Sequence, residues 1–358
     1  MRELAEQLGV SVATVSRVLN GYPDVAPETR ERVLAGIKEH DFTPVRAARS
    51  LVTGRTHVIG VILATGAGHP DLQHPFFQEV LVGLKHTVGT LGFDLLLFSV
   101  EAGGNGSAGD GVEHRYLSRV RQHRVDGVVL MGVDRHDPQV EELVTSGTPV
   151  MAVDLDLHGG RTGHVMSDNV AGAGLAVRHL AELGHERIAL IGGPANTRPG
   201  VDRLLGYRRE LERLGLPHEP AYVREGDFYP PSGHRAMSEL LDLPEPPTAV
   251  FAAADLMAAG ALQALGERRL VCPGDVSVVG FDDVHLAGLL QPALTTVRQD
   301  MRGLGGAAGT SLIDLIEHPE ATPPGVVVPV DLVVRDSTGS GPEARAEGAT
   351  RGGTSMDG

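Results

Sequence analysis

The chain has 358 residues, 41% hydrophobic and 22% charged, an ordinary globular composition long enough for two or three domains with sizeable cores. No stretch reaches the 18 or so uninterrupted apolar residues of a membrane helix, and residues 1–30 lack the apolar run of a secretion signal. A cytoplasmic protein with no membrane partner is expected. The single cysteine, Cys272, has no companion for a disulfide or a zinc knuckle, and reads as a buried small residue in a reducing compartment.

The formal charge of −15 is unevenly placed. Residues 1–55 carry eight basic and seven acidic side chains, a balance of +1, which leaves −16 for the rest. A phosphate backbone repels such an acidic body, so any DNA contact must be concentrated in the near-neutral head and must depend steeply on salt.

In that head, Leu4, Ala5 and Leu8 share one face of a first helix that Gly9 ends. Ser11 offers a cap for a second helix, with Val15, Val18 and Leu19 inward. Val12, Ala13, Thr14, Ser16 and Arg17 are left facing out: small groups, hydroxyls for phosphates and one guanidinium for a guanine edge. Asn20, Gly21 and Pro23 break the helix, and Pro27 starts a third one to about His40, with Val33 and Ile37 inward. Thr43-Pro44-Val45-Arg46-Ala47-Ala48-Arg49-Ser50-Leu51 then predicts a helix too short to hold alone in water.

The string Val10-Ser11-Val12-Ala13-Thr14-Val15-Ser16-Arg17-Val18-Leu19-Asn20-Gly21, followed by Val25-Ala26-Pro27-Glu28-Thr29-Arg30-Glu31-Arg32-Val33, resembles the headpiece of the lactose/galactose repressor (LacI/GalR) family. The resemblance implies base contacts from Val12, Ala13 and Arg17, and phosphate contacts from Ser11, Thr14, Ser16 and Asn20. Residues 44–51 resemble the family's hinge helix. The resemblance implies that two copies of this helix pair in the minor groove, with Arg46 and Ala48 on the DNA and Leu51 wedged between base pairs. Ala26 stands where a capping serine is usual, which weakens the third helix.

From residue 57 onward, apolar runs alternate with helical patterns. Strands are predicted at 58–63, 94–98, 127–131, 149–153, 187–191, 249–252 and 277–280, with helices between them. Continuous apolar strands separated by helices mean parallel sheets covered on both faces, with ligand at the strands' carboxyl ends. The family resemblance extends over this body through Ser167-Asp168-Asn169, Gly206-Tyr207, Val279-Gly280-Phe281-Asp282-Asp283 and Leu332-Val333-Val334-Arg335-Asp336-Ser337. The fold class expected is an all-α helix-turn-helix headpiece plus an α/β periplasmic-binding-protein-like body of two doubly wound parallel-sheet lobes. The divisions are a headpiece at 1–43, a hinge helix and linker at 44–56, a two-lobed effector-binding and dimerisation domain at 57–337, and a disordered tail at 338–358. Lobe 1 takes about 57–155 and 298–322, and lobe 2 about 156–297 and 323–337.

A sugar-sized ligand needs carboxylates and a guanidinium for its hydroxyls and a flat apolar wall for its C–H face. Asp154 and Asp282 follow predicted strands, Arg203 opens a helix, and Phe76 and Phe228 follow loops, all at the crevice ends. By the resemblance, Arg203 and Asp282 bind the effector, Asp154 lines the pocket and Phe228 stacks on it. Two family asparagines are replaced, by Ala254 before Asp255 and by His74 before Pro75, which removes amides able both to donate and to accept, and the residues leave the identity of the effector open.

Gly104-Asn105-Gly106-Ser107-Ala108-Gly109 satisfies G-x-G-x-x-G but follows the lobe's second strand inside a long glycine-rich run, and reads as a mobile loop. The histidines include no H-E-x-x-H, and there is no G-x-S-x-G elbow. No cofactor, metal or catalytic residue is expected. The tail has no leucine heptads, which favours a homodimer. The reading is a sequence-specific DNA-binding transcriptional regulator, a repressor released from double-stranded operator DNA by a small sugar-like effector. A corepressor-dependent regulator of the same fold is the alternative. A solute-binding protein would leave the helix-turn-helix unexplained, and an enzyme would need an activated nucleophile or a phosphate loop.

Overall fold

The computed structural model describes residues 2–19, 24–39, 55–65, 72–101, 115–134, 136–321 and 325–341. The expected hinge helix, with Arg46, Ala48 and Leu51, lies outside the described residues, as do Asn20 and the 104–109 glycine run.

The head folds as three helices, α1 (Arg2–Gln7), α2 (Val12–Leu19) and α3 (Pro27–Glu39). Leu4, Ala5, Val15, Val18 and Val33 form its core, with Leu8 and Ile37 packed against it. Gly9 closes α1 with φ of +61°, a conformation that costs a glycine little.

The body has two six-stranded sheets. The first runs β2 (Asp94–Glu101), β1 (Val58–Thr65), β3 (Gly127–Met131), β4 (Val150–Val153), β5 (Thr162–Ser167), β11 (Gly325–Val328), all parallel. The second runs β7 (Val223–Glu225), β6 (Ile188–Gly192), β8 (Ala249–Ala252), β9 (Ser277–Asp282), β10 (Thr295–Gln299), β12 (Val330–Val333), with only the β10–β12 pair antiparallel. Helices α4 (Pro75–Thr90) and α11 (Met301–Glu317) cover one face of the first sheet. Helices α5 (Tyr116–His123) and α6 (Pro138–Thr145) cover the other. The second sheet is covered by α9 (Pro230–Leu241) and α10 (Asp255–Glu267) on one face, and by α7 (Asn169–Glu182) and α8 (Arg198–Leu214) on the other. Strands buried on both faces explain the unbroken apolar runs of β1, β3, β6 and β8.

The lobe boundaries differ from those expected. Strands β5 and β11 belong to the first sheet, so residues 156–167 and 325–328 leave lobe 2 for lobe 1. The run Val326 to Val334 reads as one apolar segment, but Pro329, which has no N–H for a ladder, divides it between the two sheets. The chain crosses between lobes after Ser167, after Gln299 and at Pro329.

The disordered tail expected from 338 is also corrected for its first residues. Thr338 Oγ1 lies 2.9 Å from His179 Nε2, Gly339 O lies 3.0 Å from the buried His185 Nε2, and Gly341 N donates to Leu183 O at 2.7 Å. Gly341, one of the glycines that suggested disorder, lets the backbone lie against the turn after α7, where a Cβ would stand 2.2 Å from Gly184 O.

Helices α4 and α11 touch backbone to backbone. A Cβ on Gly305 would stand 2.0 Å from Val80 O, and one on Gly83 would stand 2.1 Å from Arg302 O. Gly305→Ala is therefore expected to cost about 1–3 kcal/mol of stability in urea unfolding. Gly89→Ala, with nothing within 4 Å of the added carbon, should be neutral or stabilising by up to about 1 kcal/mol. Equal midpoints for the two variants would contradict the close packing.

Candidate functional site

In the head, Ser11 Oγ accepts from Thr14 N at 3.0 Å, which caps α2. Its hydroxyl is thus already engaged within the chain, and lies 2.8 Å from Thr14 Oγ1. Val15 and Val18 are buried, whereas Val12, Ala13 and Arg17 are exposed and Thr14 is half-buried. Arg17 makes a loose, solvent-exposed pair with Asp24 at 3.5 Å, worth at most about 1 kcal/mol and readily exchanged for another anion. The side chain of Ser16 lies outside the described part of the structure.

The second assembly sits where the carboxyl ends of both sheets face each other. Arg203, on the second turn of α8, is buried, and the sequence prepares its place. Thr197 caps the helix through Gly200 N and Pro199 fits its first turn, so α8 begins at Arg198, ahead of Arg203, which was expected to open it. Its guanidinium donates from Nε to Asn169 Oδ1 at 2.8 Å and from Nη1 to Ala253 O at 2.5 Å. Asp282 Oδ1 lies 3.7 Å from Nη1. The guanidinium plane stacks 3.7 Å from the Phe281 ring centre, and the Phe228 ring stands 5.7 Å away.

Asp282 ends β9 and accepts from Gln299 Nε2 at 2.6 Å. Asp255, fully buried at the start of α10, accepts from Thr296 Oγ1 at 2.5 Å and from Val284 N at 2.9 Å. Asp154 follows β4. Four non-glycine residues here hold positive φ: Asp154 (57°), Phe228 (69°), Asp282 (119°) and Asp283 (57°). Strain of about 1–3 kcal/mol each persists only where the surroundings over-determine it, and such residues gather at ligand sites.

Of the five residues expected here, Arg203, Asp282 and Phe228 are in direct contact range, and Asp154 acts on Arg203 through its charge. Phe76 packs instead into the core of the first lobe, its ring 5.3 Å from that of Phe77. Its neighbour His74 is the residue that reaches across the junction. His74 Nδ1 accepts from Phe76 N at 3.2 Å to cap α4, and its ring meets Tyr229 of the other lobe edge-on at 5.4 Å. Asn169, Asp255 and Gln299 were also missed as site residues. Asn169 stands within a motif that drew notice only as a resemblance, and Gln299 carried no signal of its own. Buried polar atoms without a hydrogen-bond partner among the described residues cluster at this junction: Asp154 Oδ1, Ser167 Oγ, His74 Nε2 and Gln299 Oε1. Buried polar groups are nearly always paired, so a cluster of unpaired ones marks a place for polar ligand groups or water.

Residues 1–45 match the lacI family of bacterial regulatory proteins, and residues 177–338 match the periplasmic binding protein-like domain. The chain is similar to the HTH-type transcriptional regulator CelR of Thermobifida fusca, 36% identical over 344 residues that cover 93% of this chain and 96% of that protein. It is 35% identical to the HTH-type transcriptional repressor PurR of Shigella sonnei over 346 residues, 96% of this chain and 97% of the other. Among solved structures, a CelR–cellobiose complex matches with a TM-score of 0.71 at 34% identity, over 93% of this chain and 98% of that one. The lac repressor dimer bound to operator and the anti-inducer ONPF matches with a TM-score of 0.79 at 31% identity, over 94% and 98%.

Burial governs how the junction titrates. Desolvation pushes Asp154 and Asp282 up to about 6 even though Arg203 pulls both down. Asp255 is raised well above the usual carboxylate range, by burial first and by the Asp282 charge second. His74 moves the other way, down to about 4, because burial disfavours the imidazolium. A carboxyl whose folded pKa lies above its unfolded value of about 3.9 favours folding while protonated. Its contribution is lost as pH rises through about 6. Comparing Asp282→Asn with the wild type removes this carboxyl together with its coupling to Asp255 and Asp154, while His74 contributes to both. Between pH 4 and 7 the wild type should lose up to about 3 kcal/mol of urea-measured stability relative to the variant. Parallel pH profiles would remove the Asp282 charge from the balance.

Proposed function

The chain belongs to the LacI family of bacterial regulatory proteins and is a DNA-binding transcriptional regulator rather than an enzyme; from that premise we propose that it is a cytoplasmic homodimeric repressor, released from its operator when a small neutral carbohydrate binds between the lobes. The observation that carries the effector reading is the Arg203 assembly. One desolvated guanidinium is flanked by Asp282, Asp154 and the Phe228 ring, with unpaired Asp154 Oδ1, Ser167 Oγ and His74 Nε2 around it. Hydroxyl groups both donate and accept, and so suit such a mixture of acceptors and donors. The Phe228 face suits the C–H side of a pyranose. A phosphorylated ligand is disfavoured by the carboxylates. The CelR structure holding cellobiose makes that disaccharide the first probe to use.

On the DNA side, Arg17 is the base reader, Val12 and Ala13 allow close approach to the groove, and Ser11, Thr14, Ser16 and Asn20 contact phosphates. Arg46, Ala48 and Leu51 act at the minor groove, where paired hinge segments let two leucines insert together. Among the described residues no helix is long and apolar enough to cross a membrane. The mechanism is linkage. Carbohydrate favours one relative orientation of the lobes, that orientation parts the hinge segments, and the population shifts by no more than the ligand's differential affinity allows.

The test begins by selecting a preferred duplex from a random pool at low ionic strength and titrating it by fluorescence anisotropy with and without cellobiose. Lack of preference for any duplex over random competitor sinks the reading. Arg17→Ala should cut discrimination at its base by about 1–3 kcal/mol while sugar binding stays intact, and unchanged operator preference counts against its role. Arg203→Ala, checked for a cooperative melt, should keep operator binding yet lose the sugar response. A normal response would remove Arg203 from the pocket.

A further inference from the structure

We infer that Arg55 is the clasp by which helix α11 transmits the state of the lobe junction to the DNA-binding end of the chain. The inference rests on the regulator reading above.

Arg55 is the first described residue after the 40–54 segment that leads out of the head. It donates from Nη2 to Ile316 O at 3.0 Å, across 261 positions of sequence. Arg161, just before β5, donates to the neighbouring Leu315 O. Both carbonyls belong to the last turn of α11, where helix carbonyls lack intrahelical partners and the helix dipole draws cations. The two residues that follow Arg55 are pinned to the same lobe. Thr56 N and His57 N donate to Asp126 Oδ1 and Oδ2 at 2.8 and 2.7 Å. Arg55, Thr56 and His57 are thus fixed to the foot of lobe 1 and the end of α11.

The other end of α11 lies at the junction. Asp300 caps the helix through Gly303 N at 2.8 Å, and the preceding Gln299 holds Asp282. At 1.5 Å per residue, the 17 residues of α11 make a rod about 25 Å long, with the Asp282 carboxylate at its head and Arg55 at its foot. Gly305 and Gly83 bring α11 and α4 into backbone contact, so the two helices pack as one unit. Helix α4 itself starts at His74, on the lobe junction. A ligand that displaces Gln299 or His74 relative to the second lobe thus moves the first lobe and both helices as one body, and Arg55 ties the chain to the foot of that body. Arg55 is a positioning residue and touches neither the junction nor, on this account, the bases.

The test uses the full chain, the selected duplex and cellobiose. In Arg55→Ala, calorimetry should give a cellobiose Kd within about twofold of wild type. The ratio of operator affinities with and without sugar should fall several-fold, against the roughly 5–150-fold that such couplings span. Arg55→Lys, which keeps a cation at the helix end, should restore part of the ratio, and a ratio in Arg55→Ala equal to wild type overturns the clasp. A second arm needs no sugar. Operator affinity is measured for Asp282→Asn, Arg55→Ala and the double variant. Non-additive effects support the clasp, and strictly additive ones overturn it. Should the wild type bind no cellobiose, the choice of effector falls, while the sugar-free cycle still decides the role of Arg55.

Discussion

A guanidinium stripped of water is the constraint to which the centre of this molecule is built. Arg203 is 3% exposed, and taking such a cation out of water costs several kcal/mol unless every donor finds a partner. Asn169, the Ala253 carbonyl, and Asp282 with the adjacent Phe281 face surround it from three separate segments. The carboxylates that balance its charge are themselves pushed toward the protonated form by the same burial. A buried ionic set is weak evidence for stability, since apolar replacements of such sets are often neutral or stabilising, so fold stability alone does not account for it. The strained backbones of Asp154, Phe228 and Asp282 point the same way.

The crossings between lobes are tied to this constraint. One follows Ser167, and two residues later Asn169 holds Arg203. Another follows Gln299, which holds Asp282. The third, at Pro329, is bound to the first through the hydrogen bond from Asp168 N to Val328 O at 2.9 Å. Any relative motion of the lobes must therefore pass through residues one or two positions from the charged cluster. Hinge and sensor share backbone, so a ligand seated on the cluster acts directly on the hinge.

The sequence reveals those parts of the structure whose physics is local. Unbroken apolar runs mark strands buried on both faces, and Gly9, Ser11 and Pro27 mark helix ends in the head. Strand β5 was missed because Thr162-Gly163-His164 breaks the apolar run. The Val326 to Val334 run was assigned to one lobe because only the sheet pairing reveals the division at Pro329. In the site, Arg203, Asp154 and Asp282 could be placed because strand ends and a helix start put them at the crevice. Asn169 and Gln299 could not, since each works by meeting a residue 34 or 17 positions away. Phe76 stands apart for a related reason: neighbouring helix positions point only about 100° apart, and Phe76 and Phe77 both pack on the core of the first lobe, which the sequence at a helix start does not reveal.

The energetics of the junction also fit a molecule that switches. Among the described residues, the contacts that join the lobes besides the shared backbone include Asn196 to Asp134 at 2.6 Å, Arg198 to Asp156 at 3.1 Å, the edge contact of His74 with Tyr229, and Val284 against the first-lobe core. The first is exposed and the second half-exposed, each worth about 1 kcal/mol or less. Together they set a preference of a few kcal/mol, which the differential affinity of a small ligand can reverse. A broad apolar interface between the lobes would fix one arrangement beyond the reach of such a ligand. Burying the strongest charges on one side of the cleft, while closing it with weak polar contacts, keeps each lobe rigid and the angle between them adjustable.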